Sequence, residues 1–323
     1  MKNTIDDILK DISLDEINAC ISNLQKLDLA SQDFDEMKKM VLPLIQCGLS
    51  VVTFPKNRQI HRGRPVDIRE EVLKHVKQIS YPPKKNLMKY NRASSGAHQI
   101  FYGTVSEIRD EQELAHIGVN FELSQIHKES FGSDFEYIGL GRWHSTEDFS
   151  VVVAGLDSKI ANNNKAAITL RGYQASLINE LPERFEVIKV VSEFLSSEFS
   201  KVIEHEYEYK ITAAFGEVLF EMGFDAIMFP SVKTDGHVFN IALSKELVDS
   251  CLVCEVAAIT RSRKIKGEVF GDYLLVSETI NIDGTFNWSE PPSSAVLSNA
   301  AIKQIEREID EKGRFESTNW IIQ

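Results

Sequence analysis

The sequence predicts an α+β fold. Apolar residues recur at helical spacing in several long stretches, and short β-branched runs bounded by Gly, Pro and Asn lie between them. The two kinds of segment do not alternate regularly. Regular alternation would argue for a doubly wound parallel sheet; its absence argues for a mixed sheet with helices packed beside it. With 323 residues, 43% of them hydrophobic, the chain has material for one large core or two smaller ones.

Residues 1–50 read as a helical region. Leu9, Ile12, Leu14, Ile17, Ile21 and Leu24 keep helical spacing with acidic residues between them, and Met37 to Ile45 suggest a second helix ended near Gly48. Pro43 falls inside that second segment and weakens it. Val51–Phe54 reads as a strand, His61-Arg62-Gly63-Arg64-Pro65 as a compact basic segment, and the Pro82-Pro83 region as a loop. Residues 99–105 read as a strand. Thr104 with Glu107 fits a capping box for a helix that carries Glu113 and stops at Gly118.

Residues 134–172 alternate strands and loops, with a turn at Asn162-Asn163-Asn164. Amphipathic helices follow over 182–204 and 209–222, the second ended by Gly223. Strands are expected at 226–229, 237–243 and 251–260, and a last helix near 297–312.

A formal net charge of −12 argues against a general nucleic-acid binder, because an acidic surface repels phosphate backbones. No apolar run reaches the length of a membrane span, and the first residues lack the pattern of a secretory signal. Four cysteines in so long a chain suggest reduced thiols, and the expected location is the cytoplasm. Cys251 and Cys254 form a C-x-x-C without a second pair or histidines at zinc spacing, so they read as two strand cysteines and no metal is expected.

Three passages carry chemistry. Arg92 lies in the small polar stretch Asn91-Arg92-Ala93-Ser94-Ser95-Gly96; Tyr102 follows on a strand and Glu113 on the next helix. Much later, Pro230-Ser231 precedes an apolar strand with Asn240. Arg92 stands ten positions before Tyr102, and Tyr102 eleven before Glu113. This ordered set resembles the RES-domain family, named for its arginine, glutamate and serine. The resemblance covers about residues 58–250, leaving the 1–50 region outside and making 51–323 a catalytic domain with a C-terminal extension. Two departures stand out: the histidine that often follows the family's glutamate is only approximated by His116, and the stretch between Glu113 and Ser231 is long.

The resemblance implies an ADP-ribosyltransferase-like split-sheet core, NAD+ as substrate, and phosphate or water as acceptor. It further implies a toxin that depletes NAD+, neutralised by an antitoxin or immunity protein; the acidic charge and the lack of a long apolar run point to neither nucleic acid nor membrane as partner.

The residue chemistry is compatible. Cleaving the nicotinamide–ribose bond needs an anchor for pyrophosphate, a stacking surface, a negative charge for a cationic sugar, and a polar contact. Arg92 can grip phosphate with two donors, and Arg62 and Arg64 are further candidates. Tyr102 can stack on a ring. Glu113 can hold ribose hydroxyls and stabilise an oxocarbenium-like transition state. Ser231 and Asn240 can complete the pocket by hydrogen bonding; no G-x-S-x-G surrounds Ser231, so it is not a covalent nucleophile.

Each residue also has a plain structural reading. Arg92 as a solvated surface arginine, Tyr102 as a core strand residue, Glu113 as an ion pair with Arg109 and Ser231 as a turn serine all remain open at this stage. Two alternative functions remain as well: a protein ADP-ribosyltransferase using the same pocket, and an NAD-binding module without catalysis. No phosphate loop, zinc-protease helix or dinucleotide fingerprint occurs.

Overall fold

A computed structural model describes residues 11–69, 72–84, 90–105, 112–126, 133–176 and 182–312. In chain order the regular elements are α1 (Leu14–Gln25), α2 (Phe34–Gln46), β1 (Val51–Phe54), β2 (Gln59–Pro65), β3 (Ile100–Val105), α3 (Gln112–Leu123), β4 (Phe135–Ser145) and β5 (Phe149–Val153). Then come α4 (Lys165–Ser176), α5 (Pro182–Phe199), α6 (Lys210–Glu221), β6 (Ala226–Pro230), β7 (Phe239–Ser244), α7 (Lys245–Cys251), β8 (Leu252–Ile265), β9 (Glu268–Ser277) and α8 (Asn299–Lys312). The fold is α+β, as the irregular order of segments predicts. No described helix is long and apolar enough to cross a membrane.

The chain divides into two units interleaved in sequence. The first comprises Met1–Gln59, Tyr81–Gly118 and Ser145–Leu252; the second comprises Ile60–Ser80, Val119–His144 and Val253–Gln323.

In the first unit, Ser13 opens α1 with a capping box. Its hydroxyl accepts the Glu16 N–H at 3.3 Å while the Glu16 carboxylate accepts the Ser13 N–H at 2.9 Å. Asp33 caps α2 with its carboxylate, which accepts the Glu36 N–H at 3.0 Å, and Pro43 is tolerated near the helix end. The buried Lys210 ties these helices to α6, donating to the Gln32 carbonyl at 2.7 Å with its ammonium over the Tyr90 ring.

The strands of this unit run in the order β1-β5-β6-β7-β3, with β5 and β6 parallel and the other neighbours antiparallel. Their registers align one row across the sheet: Val51, Val152, Ile227, Ala242 and Tyr102. These residues belong to one apolar cluster with Ile17, Val41, Phe194 and Phe215, so α1, α2, α5 and α6 cover this face. Removing such area from water drives the packing.

In the second unit the strand order is β2-β4-β8-β9. β8 and β9 form a hairpin through Lys266 (φ 49°) and Gly267 (φ 92°), both left-handed, which is the two-residue turn whose twist matches its strands. Ile305 and Ile309 of α8 pack against Ile265, with Phe270 at the edge of the cluster.

Several elements depart from the sequence reading. The helix expected to stop at Gly118 continues to Leu123. A side chain at Gly118 would meet Val238 Cγ2 at 2.8 Å, so this glycine permits close packing inside a helix and does not end it. Residues 165–176 are helical where strands and loops are expected. Cys251 ends α7 while Cys254 lies on β8. The strand over 268–277 is not anticipated, because Lys-Gly is a weak hairpin signal beside Asn-Gly. The expected capping partner Glu107 lies outside the described residues, and the Thr104 hydroxyl instead donates to the Ala115 carbonyl of α3 at 2.5 Å.

Candidate functional site

The loop from Asn91 to His98 is the centre of the candidate site, and it is held from three directions. From β3, the Tyr102 phenol oxygen accepts the Ala93 N–H at 3.2 Å and shares a hydrogen bond with Ser94 Oγ at 3.0 Å. Burial pushes this phenol well above the ordinary tyrosine range, with the Glu217 charge adding to it, so the ring stays neutral. From α6, the buried Glu217 carboxylate accepts the Ser95 N–H at 2.7 Å and the Ser95 hydroxyl at 2.8 Å. Its other oxygen takes a short hydrogen bond from His98 Nδ1.

The third hold is steric. Gly216 lets α6 touch the loop backbone, since a Cβ there would stand 2.1 Å from the Ala93 carbonyl oxygen. Glycine is required by the approach of one backbone to another.

Arg92 points toward the end of α5. Its Nη1 donates to the Phe199 carbonyl, and its Nη2 donates to the Lys201 carbonyl at 3.1 Å and to the Tyr209 hydroxyl at 3.4 Å. The guanidinium also stands 5.0 Å from the Tyr209 ring centroid. A helix C-terminus concentrates unmet carbonyls and partial negative charge, which suits a fixed cation. Arg92 is therefore not a solvated surface side chain.

The later residues come to the same sheet face. Asn240 pairs with Thr104 on β3 and with Phe229 on β6. Alternate strand residues share a face, so Asn240 stands beside the Tyr102–Ala242 row, about 7 Å along the strand. Ser231 follows β6, two positions beyond Phe229, fully buried, with its N–H donated to the Val238 carbonyl at 2.9 Å. Its hydroxyl accepts the Thr234 N–H at 3.3 Å, the geometry of a serine turn.

The first turn of α3 carries Glu113, and the Thr104–Ala115 hydrogen bond brings that turn to β3 next to Asn240. The side chains of Glu113 and His116, and all of Arg109, lie outside the described residues. Arg92, Tyr102, Ser231, Asn240 and the backbone of Glu113 thus fall in the first unit.

Arg62 and Arg64 fall in the second unit. Arg62 Nε donates to the Ser80 carbonyl at 2.8 Å, and the exposed Arg64 donates to the Gln78 carbonyl at 3.0 Å. A recess in the first unit, lined by Gly48, Ser50, Ala154, Gly155, Ser192 and Phe215, contains none of the predicted residues.

Two acidic residues of this region escape sequence reasoning. Glu217 has a signal in retrospect: a lone carboxylate within the apolar stretch Ile211–Leu219, where an unpaired charge would be too costly. Glu198 lies beside the Arg92 acceptor Phe199. It is buried, with one oxygen paired to Lys201 Nζ at 2.5 Å and the other without a partner. Its period in α5 reads as an ordinary solvated position, so nothing in the sequence marks it.

No protein-family model matches this chain, and no curated protein matches it at a significant level.

Proposed function

We propose that the first unit is an ADP-ribosyltransferase-like domain that cleaves the nicotinamide–ribose bond of NAD+. The observation that supports this reading best is the convergence of residues far apart in sequence. Arg92, Tyr102, Asn240, Ser231 and the first turn of α3 all belong to one unit, with Tyr102 and Asn240 in adjacent rows of one sheet face.

In this reading the C–N bond to the nicotinamide ring breaks, and its electron pair leaves with neutral nicotinamide. Glu113 holds ribose hydroxyls and offsets the positive charge that develops on the sugar. Arg92 keeps its Nε and one Nη1 N–H for the pyrophosphate, beyond the three donors spent on α5 and Tyr209. Tyr102, packed against the apolar cluster, holds the loop that carries Arg92 in place of the stacking role expected of it, and Ser231 and Asn240 supply polar contacts. Phosphate or water then attacks the sugar carbon. As in the family it resembles, the protein would act as a toxin restrained by a partner protein.

The test is incubation with NAD+, with and without inorganic phosphate, and identification of the products by mass. Free nicotinamide with ADP-ribose 1″-phosphate is the phosphorolytic outcome, and free ADP-ribose the hydrolytic one. Glu113→Gln is expected to lower turnover by at least about a hundredfold, the loss typical for one charge-stabilising group. Glu198→Gln is the matched control and keeps turnover within a few-fold. Equal NAD+ loss in folded wild-type and Glu113→Gln protein removes the assignment.

A second reading has its own observation. The Arg92 guanidinium is already engaged by two carbonyls and a phenol, which suits a domain that binds NAD+ without cleaving it. Saturable NAD+ binding in calorimetry with no nicotinamide released would favour it. Transfer of labelled ADP-ribose to a protein would instead point to a transferase using the same pocket.

A further inference from the structure

On the sheet of the second unit, β8 places two arginines on one face. Arg261 is paired: its Nε and Nη2 donate to Asp272 at 2.9 and 2.5 Å, and Asp272 is buried. Asp272 also accepts the Leu297 N–H at 3.1 Å. Arg263, two residues on, stands opposite Phe270 of β9, with its guanidinium 5.5 Å from the Phe135 ring centroid on β4. Its Nε is buried and meets no acceptor, and no carboxylate among the described residues pairs with it.

We infer that Arg263 is the centre of an oxyanion-binding site, taking a phosphate or carboxylate group between the Phe135 and Phe270 rings. A guanidinium whose Nε is removed from water without an acceptor is costly to keep, and an oxyanion is the partner its planar fork fits. The neighbouring charge sharpens the case. Burial lowers the Arg263 pKa first, and repulsion from Arg261 lowers it further, while Asp272, opposite Arg261 on β9, works against both. The Asp272 carboxylate is spent on Arg261 and a backbone N–H, and it makes no hydrogen bond to Arg263. Arg263 belongs to the second unit and this assignment does not rest on NAD+ cleavage.

Calorimetric titration of the full chain with inorganic phosphate, and separately with acetate, at constant ionic strength tests it. Wild-type protein is expected to bind at least one of the two saturably. R263Q, which removes the charge, should weaken that binding by at least about tenfold, the loss of one charged hydrogen bond. R263K, which keeps charge and loses the fork, should fall between them. Phosphate alone binding identifies a phosphate ligand, and acetate binding a carboxylate ligand. No saturable binding of either anion by the wild type overturns the site. So does a Kd unchanged in folded R263Q, since that binding belongs elsewhere. Should R263Q fail to fold, R263K decides: a wild-type Kd in R263K overturns the site.

Discussion

Glu217 is the residue on which the Asn91–His98 loop depends. Its carboxylate meets a backbone N–H, a hydroxyl and an imidazole, and it is 1% exposed. Glu217→Gln keeps the size but turns an acceptor toward donors, leaving at least one buried donor unmet. Urea unfolding should show a loss of about 3 kcal/mol. His98→Gln should cost less, about 1 kcal/mol, because the imidazole side chain is 39% exposed and water can replace it. The reverse ranking would mean that the carboxylate does not organise the loop. Tyr102→Phe removes the acceptor for the Ala93 N–H, and the expected loss is about 1–2 kcal/mol by the same measurement. Of this cluster, Tyr102 is singled out in the sequence only as a stacking ring, and its hold on the loop is not legible there. Glu217 is not legible either, because nothing local says which loop a buried carboxylate will meet.

At the scale of elements, two helical glycines with the same propensity cost have opposite roles. Gly216 in α6 faces the Ala93 carbonyl, where a Cβ would stand 2.1 Å away. Gly172 in α4 has nothing within 4 Å of the same position. Gly172→Ala should therefore stabilise the protein by about 0.5–1 kcal/mol, the helix propensity gained. Gly216→Ala gains the same propensity but must push helix and loop apart, and a net loss of about 1–3 kcal/mol is expected. Thermal unfolding of the two variants should move in opposite directions, and a stabilised Gly216→Ala would refute the close approach. The elements themselves were largely legible: α2 through Pro43, α6 up to Gly223, and β6 and β7 follow from periodicity and breakers. The second half of β4–α4 was not, because α4 carries a weak apolar face and its residues look like a polar connection.

At the scale of the whole molecule, the thiols give a test spread over both units. Burial pushes Cys47 in the first unit and Cys254 in the second up to about 12. Both thiols stay protonated near pH 8, where the reactive thiolate is scarce. Native protein should therefore leave Cys47 and Cys254 unlabelled by a thiol reagent that reaches Cys251, and denaturant should expose both. Rapid native labelling of either would show that its core is open. By itself, the sequence determined the α+β class and most helices and strands, because periodicity, caps and breakers act over a few neighbours. The tertiary structure alone decided which chemistry-bearing residues share a unit. It sent Arg62 and Arg64 to a different unit from Arg92 and Tyr102, aligned Asn240 with Thr104, set Glu217 under the loop, and left Arg263 without a carboxylate partner among the described residues. Strand register and helix packing join residues over a hundred positions apart, and the partner of a buried charge is chosen by that geometry, not by its neighbours in the chain.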